Sequence, residues 1–128
     1  MVRLLTLGLA LGVLVTVPAA AQKMPLQSFV ERGTKLEKKG PLALLSRGEI
    51  KLLQTEMQAA NKAVIAEYEA NKKSGARQAF CPVKGQKYQL GAQQLLAQLR
   101  AIPPAQARTM TTTDGMRHLI AKRFPCPA

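Results

Sequence analysis

Residues 48–73 read GEIKLLQTEMQAANKAVIAEYEANKK, a stretch without proline in which apolar side chains recur three or four positions apart. Ile50, Leu53, Met57, Ala60, Val64 and Tyr68 mark one face at the helical period. Glu49, Lys51, Glu56, Lys62, Glu67 and Lys72 fall on the solvated positions between them. The spacing predicts one long amphipathic helix that ends at Lys72-Lys73-Ser74-Gly75, where the basic residues and the glycine supply a stop. A long helix with a single apolar stripe needs other helices to cover it.

The flanking sequence supplies them. On the N-terminal side, Ser28 with Glu31 three residues later reads as a capping box, predicting a helix over residues 29–39 that Gly40 closes. Pro41 then starts a further turn over residues 41–46. On the C-terminal side, residues 75–90 are irregular, with Cys81, Pro82 and Gly85 among scattered basic residues. A helix over residues 90–102 follows, with Leu95, Leu99 and Ile102 inward and Gln93, Gln94, Gln98 and Arg100 outward, and Pro103-Pro104 stops it. Thr111 to Thr113 and Asp114 offer N-caps for a last helix, whose face is Met116, Leu119, Ile120 and Phe124 and which Pro125 ends. Strand signals are nearly absent. The fold class expected is all-α: a small bundle of about four to five helices closed by one disulfide.

The chain has 128 residues, of which 47% are hydrophobic, and this fits one folded domain and excludes a disordered chain. Nineteen Lys and Arg face seven Asp and Glu, a net charge of +12. One histidine and seven carboxylates leave little for metal binding or acid–base chemistry, so enzymes are disfavoured, and no cofactor or metal is expected. Residues 1–21 read as a secretory signal peptide: Arg3, then an uncharged apolar run from Leu4 to Val17, then Pro18 and an A-x-A site before Gln22. The run is shorter than the roughly 20 residues of a membrane span. Removing those 21 residues, Arg3 among them, leaves a single helical domain over 22–128, 107 residues with a charge of +11.

Export decides how Cys81 and Cys126 are read. They are the two cysteines of the chain, each followed by proline. A lone pair in an oxidising compartment forms a disulfide, whereas a redox site would need C-x-x-C spacing and a zinc site four ligands. The bridge closes a loop worth about 4 kcal/mol on the chain-entropy model. His118 has one nearby carboxylate, Asp114, and a surface Asp–His pair at i, i+4 accounts for both more simply than a catalytic imidazole does. A Cys81–His118 nucleophilic pair would strand Cys126. The glycines form no phosphate loop. Basic clusters at Lys38-Lys39, Lys72-Lys73 and Lys122-Arg123 carry neither a recognition motif nor stacking aromatics, so nucleic acid is not the expected partner. A solvated basic surface is the default, and an anionic partner, an acidic protein or the envelope, is the functional alternative.

Phe80-Cys81-Pro82, then a helix containing QQLLAQLRAIPP, then a capped helix ending in Arg123-Phe124-Pro125-Cys126-Pro127 resembles the Rap1a/Tai family. These are small, exported, helical bacterial immunity proteins that protect cells from type VI secretion amidase effectors acting on peptidoglycan. The similarity covers residues 80–127, within a Rap1a/Tai-like part of about 75–127. It implies an all-helical domain, a Cys81–Cys126 disulfide and a periplasmic inhibitor that occludes a secreted amidase effector; the basic charge of this chain would suit an acidic secreted amidase effector. The family's motif fixes no effector-contacting residue, and the irregular segment over 75–90, anchored by Cys81, is the first candidate for the inhibitory loop. Two rivals remain open: a holdase-like envelope stress protein, against which the shortage of carboxylates argues, and a basic protein that coats anionic cell-wall polymers.

Overall fold

The computed structural model describes residues 24–127, so the leader expected over residues 1–21 lies outside the described residues. Five α-helices follow one another: α1 (Leu26–Lys39), α2 (Arg47–Ser74), α3 (Ala92–Arg100), α4 (Pro104–Ala107) and α5 (Thr112–Arg123), with a 3₁₀ turn at Gly40–Leu45 between the first two. The all-α expectation holds. Among the described residues the sole β-type pairing is an isolated antiparallel bridge between Pro25 and Thr111.

The helix of the opening stretch runs 28 residues and buries Leu53, Ala60 and Val64 of its predicted face, with α5 as its principal neighbour. Glu49 lies in its first turn and Lys72 and Lys73 in its last, matching the helix dipole, and Gly75 closes it in the left-handed conformation at φ 71°. Two apolar clusters make up the core. Leu26, Phe29, Leu53, Leu99, Ile102, Ala107 and Leu119 form the first, drawn from all five helices. Ala60, Val64, Phe80, Met116 and Phe124 form the second. Met57 and Leu95 pack against both and join them.

Three local expectations change. The first helix begins at Leu26, with Pro25 at the cap position; Ser28 lies inside it, and Glu31 pairs with Lys35 at 3.4 Å instead of capping. The cause is tertiary. The Leu26 N–H donates to the Met110 carbonyl at 3.0 Å, the Thr112 N–H and hydroxyl donate to the Met24 carbonyl at 2.9 and 3.2 Å, and the Met24 N–H donates to Glu56 at 3.1 Å. The Leu26 N–H, one of the orphan donors of the helix start, is thereby satisfied without a local cap, and the chain before it is tied to α2 and α5. Second, Pro103-Pro104 both stops α3 and opens α4, whose Ala107 is buried. Third, Leu96 is buried beside Leu99. The last helix has the cap expected of it: Thr111 Oγ1 accepts from the Asp114 N–H at 3.2 Å, and Asp114 Oδ2 accepts from the Thr111 N–H at 2.9 Å.

Gly115, inside α5, is where three helices meet most closely. A Cβ there would stand 2.8 Å from Leu26 Cδ1 and 3.1 Å from Leu99 Cδ2, two side chains that are 0% and 1% exposed. Gly33 is also crowded, 2.8 Å from Leu96 Cδ1, but its neighbour lies nearer the surface and nothing else presses on it. Gly115→Ala should therefore lose stability by about 1 kcal/mol or more, overpacking outweighing the gain of about 1 kcal/mol in helix propensity. Gly33→Ala should be neutral or mildly stabilising. Urea unfolding of the two variants separates these outcomes.

Arg117 clamps α5 to α2. Its guanidinium donates twice to Glu67 Oε2, at 2.7 and 3.0 Å, and once to Asp114 Oδ1 at 2.7 Å. The Thr111 backbone N–H, with help from Arg117, holds the Asp114 carboxyl below the usual carboxylate range against an opposing effect of burial. A depressed folded-state value gives stability that is present above the unfolded value of about 3.9 and is lost as pH falls through the folded one. Thermal unfolding followed by circular dichroism from pH 7 to pH 2 should show that loss below about pH 4. Asp114→Asn should start less stable at neutral pH and give a flatter acid limb.

Candidate functional site: a stapled basic loop

Residues 76–91 link α2 to α3 without regular structure, yet they are held at four points. Past Gly75, the Ala76 N–H returns to the Asn71 carbonyl at 3.0 Å, and the Gln78 side-chain amide donates to the Tyr68 carbonyl at 3.0 Å. Phe80 is buried and stacks on Tyr68 with ring centroids 5.3 Å apart. Cys81 is bonded to Cys126, with the two Cα atoms 4.8 Å apart, and its N–H donates to the Phe124 carbonyl at 2.8 Å. Tyr88 meets Phe124 edge-on at 5.9 Å and donates its hydroxyl to Gln98 at 3.0 Å. Burial raises the Tyr88 phenol above its ordinary value, against the opposing charge of Arg123.

Between these anchors the chain turns tightly. The Gln86 N–H donates to the Val83 carbonyl at 3.0 Å, and Gly85 adopts φ 84°, which a β-carbon would resist. At the far end the Gln94 side chain accepts from the Gly91 N–H at 3.2 Å and starts α3. The anchored residues face inward, and Arg77, Val83, Lys84 and Lys87 are left exposed.

The carboxylates explain why those cations stay available. Glu31, Glu37, Glu49, Glu67 and Asp114 each pair with a Lys or Arg, and Glu56 accepts the Met24 N–H. The pairing uses Arg32, Lys35, Arg100 and Arg117. Among the described residues, Arg77, Lys84, Lys87, Lys122 and Arg123 have no carboxylate within ion-pair distance. Arg123 instead lies over the Phe124 ring, 5.1 Å from its centroid.

The structure brings Cys81 and Cys126 together, so Cys81 offers no thiol for a nucleophilic pair with His118. His118 and Asp114 are not brought together: Asp114 is taken by Thr111 and Arg117. His118 instead lines an open groove of about 570 Å³ between α3 and α5, with Tyr88, Gln98, Lys122 and Arg123. Sequence reasoning missed Gln78, Tyr88 and the Arg117–Glu67 clamp. The aromatic residue between two glycines, Tyr88, was the one available signal. No group of three or more His, Cys, Asp or Glu among the described residues could hold a metal ion. Comparison with protein-family models, with curated proteins and with solved structures finds no match to this chain.

The bridge tethers the loop to the end of α5, so its removal should be felt beyond the two sulfurs. Cys126→Ala should lower stability by about 2–5 kcal/mol in urea unfolding. Non-reducing peptide mapping of protein isolated from cells should recover the Cys81 and Cys126 peptides linked. Two alkylatable thiols would contradict the pairing.

Proposed function

We propose that this chain is an exported, periplasmic protein of the immunity type, which inhibits a peptidoglycan amidase effector by laying the stapled loop over its active cleft. The observation that carries the reading is the loop itself: anchored at Gln78, Phe80, Cys81 and Tyr88, it displays Arg77, Lys84 and Lys87 with no acid among the described residues to hold them. A segment ordered before contact loses little conformational entropy on association, which suits tight occlusion. Its cations would speed encounter with an acidic surface and fix the orientation of approach. The disulfide is compatible with an oxidising compartment. On this reading the protein acts by binding and performs no turnover. The resemblance of residues 80–127 to the Rap1a/Tai family supplies the class of partner.

Cations spread over the other faces favour a second reading, a basic protein that coats anionic wall polymers. Salt-sensitive sedimentation with purified cell wall, unaffected by changes in the loop, would support it.

The test of the first reading is protection. Each amidase encoded near this gene, directed to the periplasm, should cease to lyse cells when this protein is co-expressed. Lys84→Glu combined with Lys87→Glu should slow association with the effector by about tenfold at low salt, the difference narrowing as salt screens the charges. If no neighbouring amidase is bound or inhibited, the immunity reading is wrong.

A further inference from the structure

The corner between α1 and α2 exposes more apolar surface than the core needs to leave outside. Its 3₁₀ turn, Gly40–Leu45, reads GPLALL and contains no polar side chain. Leu42, Leu44 and Leu45 are 65%, 73% and 83% exposed, and Leu52, in the second turn of α2, is 41% exposed. The other large apolar residues in the open, Ile65 and Val83, lie away from this corner, Ile65 on a groove between α2 and the loop. The leucines are held out, not left loose. Gly40 turns the chain at φ 54°, the Ser46 N–H donates to the Ala43 carbonyl at 2.9 Å, and the Lys39 ammonium donates to the Ser46 hydroxyl at 2.8 Å. Behind the turn, Arg32 and Glu49 tie α1 to α2 at 3.3 Å.

The unpaired charges around this tip have one sign. Lys38, Lys39, Arg47 and Lys51 flank it, and none has a carboxylate partner among the described residues. The two acids nearby are already engaged, Glu49 by Arg32 and Glu37 by Arg100 at 2.8 Å. We infer that this corner docks on an anionic phospholipid bilayer, the leucines entering the headgroup–acyl boundary and the four cations reaching the lipid phosphates. An apolar tip within a basic collar combines the two signals that peripheral attachment requires, and long basic side chains can bury their stems while their charges stay at the interface. A second copy of the chain fits less well, because two such corners would bring like-charged collars face to face. The described helices include none long and apolar enough to cross a membrane, so the contact is with the surface. The corner shares no residue with the stapled loop, and the inference stands apart from the immunity reading.

The experiment uses the disulfide-bonded chain from Gln22 to Ala128, which contains every residue of both core clusters and lacks the apolar leader. It should float with vesicles of phosphatidylcholine and phosphatidylglycerol at low salt. It should bind pure phosphatidylcholine at least tenfold more weakly. Leu44→Ser with Leu45→Ser should reduce partitioning at least tenfold, and Lys38→Gln with Lys51→Gln by about fivefold per cation removed. Ile65→Ser, about 20 Å further along α2 at 1.5 Å per residue, should float like the wild type. The chain has no tryptophan, so Leu45→Trp supplies a unique reporter: its emission should shift to the blue with anionic vesicles, while that of Ile65→Trp should not. Absence of flotation, retention of full binding by the leucine double variant, or equal losses at Ile65 would overturn the inference. So would a solution dimer that the leucine variant dissolves, or capture of an acidic protein through the same leucines without any binding to vesicles.

Discussion

The bundle depends on a missing side chain. At Gly115 the backbone of α5 is bare, and Leu26 of α1 and Leu99 of α3 close over it to 2.8 and 3.1 Å from where a Cβ would be. That approach sets the height at which α1 meets α5, and therefore lets Met24 and Leu26 exchange hydrogen bonds with Thr112 and Met110. With the start of α5 fixed there, its far end delivers Phe124 beneath Tyr88 and Cys126 to Cys81. The loop is thus positioned from the opposite end of the molecule, through one straight helix.

A strongly basic chain has few acids to use, and this one uses nearly all of them internally. Glu37, Glu49, Glu67 and Asp114 each bridge to an arginine, and the first three join different segments of the chain. Surface ion pairs of this kind contribute little individually. Their larger effect here is on what remains: the outward field is built from the cations they leave over. Both surfaces singled out above, the loop and the leucine corner, owe their charge to this distribution.

The sequence made the scaffold readable because helical periodicity is a local property. The face of α2, the Thr111 cap and the Gly40 and Gly75 stops were all visible, as was the Cys81–Cys126 pairing. What failed did so for non-local reasons. Ser28 looked like a cap because the carbonyl of Met110, which takes the Leu26 N–H, lies more than eighty residues away in the chain. His118 and Asp114 had the spacing of a pair, yet the carboxylate is taken by the Arg117 guanidinium and by the Thr111 N–H and hydroxyl. Of the candidate site, the irregular loop and its disulfide were legible. Its anchoring by Gln78 and Tyr88 was not: an aromatic residue between two glycines hinted at Tyr88, and nothing marked Gln78.

The division of the core into two clusters has a mechanical consequence. Among the described residues only Met57 and Leu95 pack against both, so the core narrows between them. On one side lie the contacts of α1, α3 and α4; on the other lie the loop, the middle of α2 and the end of α5. Cooperative units in small proteins separate where few apolar contacts cross, each opening with its own free energy. The disulfide sits wholly on the second side, and it confines that half without touching the first. The molecule thus has graded rigidity, with the chemical crosslink placed where packing alone has the fewest residues to work with.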